Sequence, residues 1–267
     1  MIASLRALPL RVYVTVVALV LAAPSLVLIP LSFTRSSTLE FPPTGFSTQW
    51  YRRFFTSSNW LDATAHSVVI GVLTMIVSVA LGVPLALALV RGRFRGVGLL
   101  HALVLGPAVV PVVITAIGTY AFMTGLGLTR TMLGLVIAHT VLALPMVVVT
   151  VTASAQTLDP ALELAAAGLG AGRIATFRHA VLPALAPGIA IGAVYGFVTS
   201  WDEMVVSLFL TGPTYTTLPV TMWNQVRNSS DPTAVAVSTM LVALSTIALF
   251  AIVFTGRAVT RRKQAPG

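Results

Sequence analysis

Six stretches of about twenty or more residues run through this chain almost without charge, and they decide which solvent most of the polypeptide can face. A helix crosses roughly 30 Å of hydrocarbon with about 20 apolar residues. The runs lie approximately at Val12 to Phe33, His66 to Val90, Val97 to Leu126, Met132 to Ala155, Ala186 to Leu210 and Ala234 to Gly256. Only the fifth contains acidic residues, Asp202 and Glu203. Composition points the same way: 57% of the 267 residues are hydrophobic and 9% are charged, against about 45–50% and about 25% in soluble domains. The polar residues are too few to cover a globular surface in water. The expectation is one all-α membrane domain over residues 1–267 with six transmembrane helices. The first run follows Arg6 and Arg11 and is about twice the length of a signal-peptide core, so it reads as an uncleaved anchor.

A net charge of +9 would suggest nucleic acid as the partner of a soluble protein. In a membrane protein it reports which loops face the cytoplasm. With the N-terminus inside, the inner segments carry Arg6, Arg11, Arg91, Arg93, Arg95, Arg173, Arg178, Arg257, Arg261, Arg262 and Lys263, eleven of the 16 basic residues. Arg35, Arg52, Arg53, Arg130 and Arg227 fall outside. The bias places both termini in the cytoplasm. The inner charges then meet anionic lipid headgroups, and no nucleic acid is needed to explain them.

Several function classes drop out. Cysteine is absent, which removes disulfides and thiolate metal sites, and no His, Asp and Glu grouping has metal-ligand spacing. The only lysine is Lys263 and no Gly-x-x-x-x-Gly-Lys-Ser/Thr segment exists, so the chain holds no ATP in a phosphate-binding loop. An ion-driven secondary transporter stays as the weaker alternative: it predicts internal repeats with matching interrupted spans, and none is evident. A membrane-embedded enzyme requires a convergent catalytic set, whereas the His and acidic residues are scattered over several spans.

The outer segment from Thr34 to Ala65 carries Trp50, Tyr51, Phe54, Phe55 and Trp60, read as an interfacial aromatic belt or as a surface for a partner. The segment between the fourth and fifth spans, residues 156–185, says more. Asp159-Pro160 is a helix start, with Asp as N-cap and Pro in the first turn. A helix from Ala161 to about Leu169 follows. Glycines at 168, 170 and 172 end it, and a second short helix, about Arg173 to Ala180, runs to Pro183 as a breaker. On its residues this element is either an amphipathic elbow lying on the membrane or a docking element for another protein.

The segment resembles the EAA loop of permease subunits of binding-protein-dependent ABC importers. That pattern is Glu-Ala-Ala, three residues, Gly, nine residues, Ile, one residue and Leu-Pro. Anchored on Leu182-Pro183, the glycine is Gly170 and the alanine pair is Ala165-Ala166. Leu164 stands where the pattern has Glu and Ala180 where it has Ile, while Glu163 sits one residue early. Ser200-Trp-Asp-Glu-Met and Thr217-Leu-Pro-Val are similar to segments of the second permease of spermidine/putrescine-type importers.

The resemblance implies a type I importer permease of the bacterial inner membrane. It would pair with a second permease, as a heterodimer, and with two ATPase subunits and an extracytoplasmic solute-binding protein. ATP and Mg would sit on the ATPase subunits, with no cofactor on this chain. The loop residues Glu163, Ala165, Ala166, Gly170, Phe177, Leu182 and Pro183 would couple to the ATPase. The solute would be a polyamine, the alternative being another small solute (amino-acid-derived, a phosphonate, a metal or an anion) carried by the same machinery.

Polar groups inside spans are costly in lipid and tend to face the bundle interior. Tyr195, Thr199 and Asp202 fall at i, i+4 and i+7 and share a helix face. Together with Glu203 they are candidates for contact with a cationic solute. The alternative for the acids is structural, at loop backbone, at Arg227 or at the permease interface. His139 in the fourth span is read as a histidine satisfied by a neighbouring helix. Pro107, Pro111 and Pro145 are expected to kink their spans.

Overall fold

The structure, a computed structural model, describes residues 2–92, 94–159, 161–212, 214–229 and 231–247. The sequence readings on Arg93, Pro160, the last third of the sixth run and the basic tail through Lys263 lie outside the described residues. The described chain is helical with no β-strand, only an isolated bridge between Thr34 and Phe46. It divides into two compact units, residues 1–61 with 222–267, and residues 62–221.

In the first unit, α1 (Ile2–Ser32) carries apolar residues on every side from Val12 onward, the pattern of a helix surrounded by hydrocarbon or protein rather than water. A loop leads to α2 (Gln49–Thr56), whose Trp50 and Phe54 are buried. The Trp50 indole Nε1 donates to Thr34 O at 2.8 Å, and Ser32 Oγ lies 2.6 Å from Tyr51 Oη. With Trp60 also buried, three rings of the aromatic cluster pack inside the chain, while Phe55 stays exposed. An indole needs a partner for its N–H when buried, and the Thr34 carbonyl supplies one. A later helix, α12 (Thr233–Ile247), places Thr239 Oγ1 3.5 Å from Leu28 O of α1.

The second unit contains α3 (Ser58–Arg91) from residue 62 on, α4 (Val97–Val109), α5 (Val112–Gly125), α6 (Met132–Gln156), α7 (Ala161–Gly168), α8 (Arg173–Thr176), α9 (Leu182–Asp202) and α10 (Val205–Leu210). Helix α11 (Leu218–Asn228) follows α10 in the chain and crosses the boundary between the units. The centre of the unit is α6, with Leu135, His139, Ala143, Val147 and Val151 fully buried. Val83 and Ala86 of α3, Val147, Val148 and Val151 of α6, and Val181 and Leu185 at the entry to α9 form one core cluster. Between membrane helices the hydrophobic effect gives little, so close packing of small residues carries the association.

Two of the expected spans are broken. The run from Val97 to Leu126 is two helices, α4 and α5, bent by 109°. Val110 between them is extended, with φ −74° and ψ 133°, because Pro111 removes an N–H and crowds its predecessor out of the helical region. The run from Ala186 to Leu210 likewise breaks after Asp202, where Glu203 adopts φ −73° and ψ 114°. Its start also differs. The helix beginning at Arg173 continues to Asp202 as one apolar helix of 30 residues, so Pro183 does not end it.

The reason lies in a π turn over Phe177–Val181. There the Leu182 N–H reaches back five residues to Phe177 O. This wider turn moves the carbonyls that an ordinary helix would press against the Pro183 ring. Four helices among the described residues are long and apolar enough to cross a membrane, five when the bent pair counts as one.

Candidate functional site

Two places in the second unit gather the residues that the sequence points to. The first is the segment joining α6 to α9. Asp159 Oδ1 accepts the Ala161 N–H at 2.8 Å, satisfying one of the free donors that open α7. At the other end Gly170 N donates to Ala167 O at 3.0 Å and Ala171 N to Ala166 O at 3.0 Å. This pair of bonds is the Schellman closure, and it places Gly170 at φ +82°, where a side chain strains against its own backbone. Gly168 and Gly172 need no such conformation. The first helix and its turn therefore form as expected, with one glycine of the three enforcing the turn, whereas the second helix runs on past Pro183.

None of the α7 residues is buried. Leu164 is 74% exposed, Leu169 90% and Ile174 83%. Ala165, Gly170, Phe177, Leu182 and Pro183 are exposed as well, with Ala166 half-buried. Glu163 differs from this outward set: its carboxylate pairs with the Arg91 guanidinium at the end of α3. The segment is anchored at its far end by Val181 and Leu185 in the core.

The second place is where α9 meets α6 and then breaks. Gly188, Gly192, Gly196 and Ser200 recur every fourth residue and are all buried. A Cβ at Gly192 would meet Thr150 Oγ1 at 2.9 Å, and one at Gly196 would meet the Met75 Cα at 3.2 Å. The missing side chains let α9 lie backbone-close to α6 and α3. In the sequence this stripe is a small-residue repeat of period four.

At the top of the stripe a chain of polar groups is buried. His139 Nδ1 lies 2.7 Å from Ser200 Oγ, and its Nε2 lies 3.0 Å from Ser207 Oγ. Ser207 Oγ also donates to the Glu203 carbonyl at 3.1 Å. Having one proton, that hydroxyl then accepts from the imidazole, which sets Nε2 as the protonated nitrogen and Nδ1 as the acceptor from Ser200. The Glu203 carboxylate accepts the Val206 N–H at 3.0 Å and the Ser207 N–H at 2.9 Å. In a continuous helix these donors would go to the carbonyls of Asp202 and Glu203, so the side chain takes over the backbone's role and α10 starts afresh.

The four candidates on this helix thus separate. Glu203 is buried inside the unit, whereas Tyr195 and Asp202 are exposed on the other side of α9 and Thr199 is half-buried between them. Arg227 stacks over Trp223, 5.9 Å from the ring centroid. Leu218 N donates to Ser67 Oγ at 2.8 Å and His66 Nδ1 lies 3.3 Å from Thr216 O, pinning the Thr217-Leu-Pro segment to the start of α3. No group of His, Asp and Glu suited to a metal occurs among the described residues.

Comparison with known proteins adds the rest. The family described as "Binding-protein-dependent transport system inner membrane component" matches residues 1–261. The spermidine/putrescine transport system permease protein PotC of Escherichia coli (strain K12) is 32% identical over 239 residues, covering 90% of each chain. The putrescine transport system permease protein PotI of the same organism is 32% identical over 228 residues, 83% of this chain and 81% of that one. A probable molybdenum ABC transporter permease protein of Haloferax volcanii is 34% identical over 200 residues, 72% of this chain and 74% of its own. Among solved structures, a bacterial ABC transporter involved in the import of the acidic polysaccharide alginate superposes with a TM-score of 0.73. It covers 96% of both chains at 15% identity, a likeness of fold alone.

Proposed function

The chain belongs to the family of binding-protein-dependent transport system inner membrane components, and we propose that within it this permease carries a polyamine inward while its α6–α9 segment receives the push of the ATPases. It is an ABC importer permease subunit of the bacterial inner membrane. The finer reading has six crossings with both termini in the cytoplasm, a second permease as heterodimeric partner, two ATPases that hydrolyse ATP on their own chains, and an extracytoplasmic binding protein. The observation that carries the coupling role is the geometry of the segment itself. An exposed helix and turn, from Ala161 to Gly170, lead through the π turn into one unbroken helix ending at Asp202. A force applied at the exposed end is delivered along a packed helix to the level of the acid, the shear type of switching.

The polyamine reading rests on Asp202 and Tyr195, exposed on one side of α9, together with the similarity to PotC and PotI. A carboxylate inside a span attracts an ammonium group and repels an anion. The relative named for molybdenum supports a second reading, an oxyanion solute, which that carboxylate disfavours.

The test is uptake in cells that express the full transporter. Labelled putrescine should accumulate in an ATP-dependent manner, and molybdate should not compete. Accumulation of molybdate without putrescine would replace the first reading by the second. Recovery of an ATPase with the detergent-solubilised chain checks the coupling role, and its absence would remove it.

A further inference from the structure

Arg91 ends α3, and Glu163 lies in the first turn of α7. Their charged groups are in direct contact. Each charge sits where its own helix favours it, the cation at a C-terminus and the anion at an N-terminus. A cleft of about 800 Å³ and another of about 370 Å³ are each lined by both Arg91 and Glu163. Since α7 buries none of its residues, packing alone holds it only weakly against the rest of the unit. The ion pair ties it to a long spanning helix.

The pair also accounts for the rotation of α7 about its axis. Adjacent residues on a helix point about 100° apart. With Glu163 turned to Arg91, Leu164 is left outward and 74% exposed.

We propose that Arg91 is a positioning residue: through Glu163 it acts as a strut that holds α7 in its docking pose, so that the partner-facing contact at this point is made by Leu164 and not by an acid. The proposal rests on the reading that residues 156–185 dock an ATPase, and the experiment separates the two. The assembled transporter is purified with Arg91→Glu, with Glu163→Arg and with both changes, and ATP hydrolysis is measured per ATPase recovered. Side chains about a third exposed, 36% and 35%, make a modest pair, so each single reversal should lower that rate about two- to fivefold. The double reversal should restore most of it. A role in stability alone would change the amount recovered and leave the rate per ATPase unmoved.

A double variant no better than the singles, or singles equal to the parent protein, would overturn the strut. Should the parent chain recover no ATPase, the docking reading is the one that fails, and a second measurement decides the strut. The chain has no cysteine, so Val90→Cys with Leu164→Cys, which line one cleft beside the intact pair, supplies the only thiols. A short bis-maleimide applied to membranes should link them within the chain, seen as protection from later thiol labelling. Full labelling after treatment would refute the contact.

Discussion

Ser200 of α9 and His139 of α6 face each other across the helix contact, Oγ to Nδ1, at 2.7 Å, both buried. The bond stands at the end of the glycine stripe, one residue before the Trp201-Asp202 step at which the helix stops. Through Ser207 the same imidazole reaches the first turn of α10. One side chain therefore holds both sides of the break against α6.

Replacing His139 by Leu should leave Ser200 Oγ without its partner and destabilise the chain by about 1–2 kcal/mol. The change would be seen as a lower thermal unfolding midpoint in detergent. His139→Asn keeps a polar atom near the Nδ1 position and should recover about half of the loss. Equal midpoints for all three proteins would mean that the bridge contributes nothing.

The close approach of α9 to α6 predicts a steric result. Gly192→Leu drives a side chain into Thr150 and Val147 and should cost about 1–3 kcal/mol by overpacking, with a reduced yield of monodisperse protein. Gly118 in α5 has nothing within 4 Å of its would-be Cβ. Gly118→Ala should therefore stabilise the helix, by about 0.5–1 kcal/mol, in the same assay.

At Gly170 conformation and size can be separated. Its φ of +82° is one that Asn adopts readily and a β-branched residue does not. Gly170→Asn should retain ATPase recovery, while Gly170→Val should lose most of it. If both retain it, the turn does not set the docking surface.

The two neighbouring acids should behave oppositely. Glu203→Gln keeps one acceptor oxygen for two backbone donors and should lower stability by about 1 kcal/mol. Asp202→Asn, on the exposed side, should leave the unfolding midpoint in place and reduce putrescine uptake, an effect read from initial rates. A stability loss at Asp202 with unchanged uptake would invert the assignment.

The helical class and the approximate place of the long apolar helices were legible because about twenty apolar residues in a row have one use. So was the loop element: an Asp cap and a glycine stop are local signals, and they hold at Asp159 and Gly170. Less legible were the breaks. Pro111 does interrupt its span, whereas Pro183 does not, and the difference is a π turn that no local rule announces. Glu163 and Leu164 likewise read alike from spacing, since either could face a partner.

What the sequence determined by itself was therefore everything that depends on solvent and on the nearest few residues: membrane residence, helix, cap and turn. Tertiary structure decided where neighbouring polar residues point. It sent Glu203 inward to backbone donors and Asp202 outward, turned Glu163 to Arg91, and placed His139 between two serines. The physical reason is that a buried polar group must find its partner wherever packing brings one. His139 lies 61 positions from Ser200 and 68 from Ser207, and a periodicity read along the chain carries no information over such a distance.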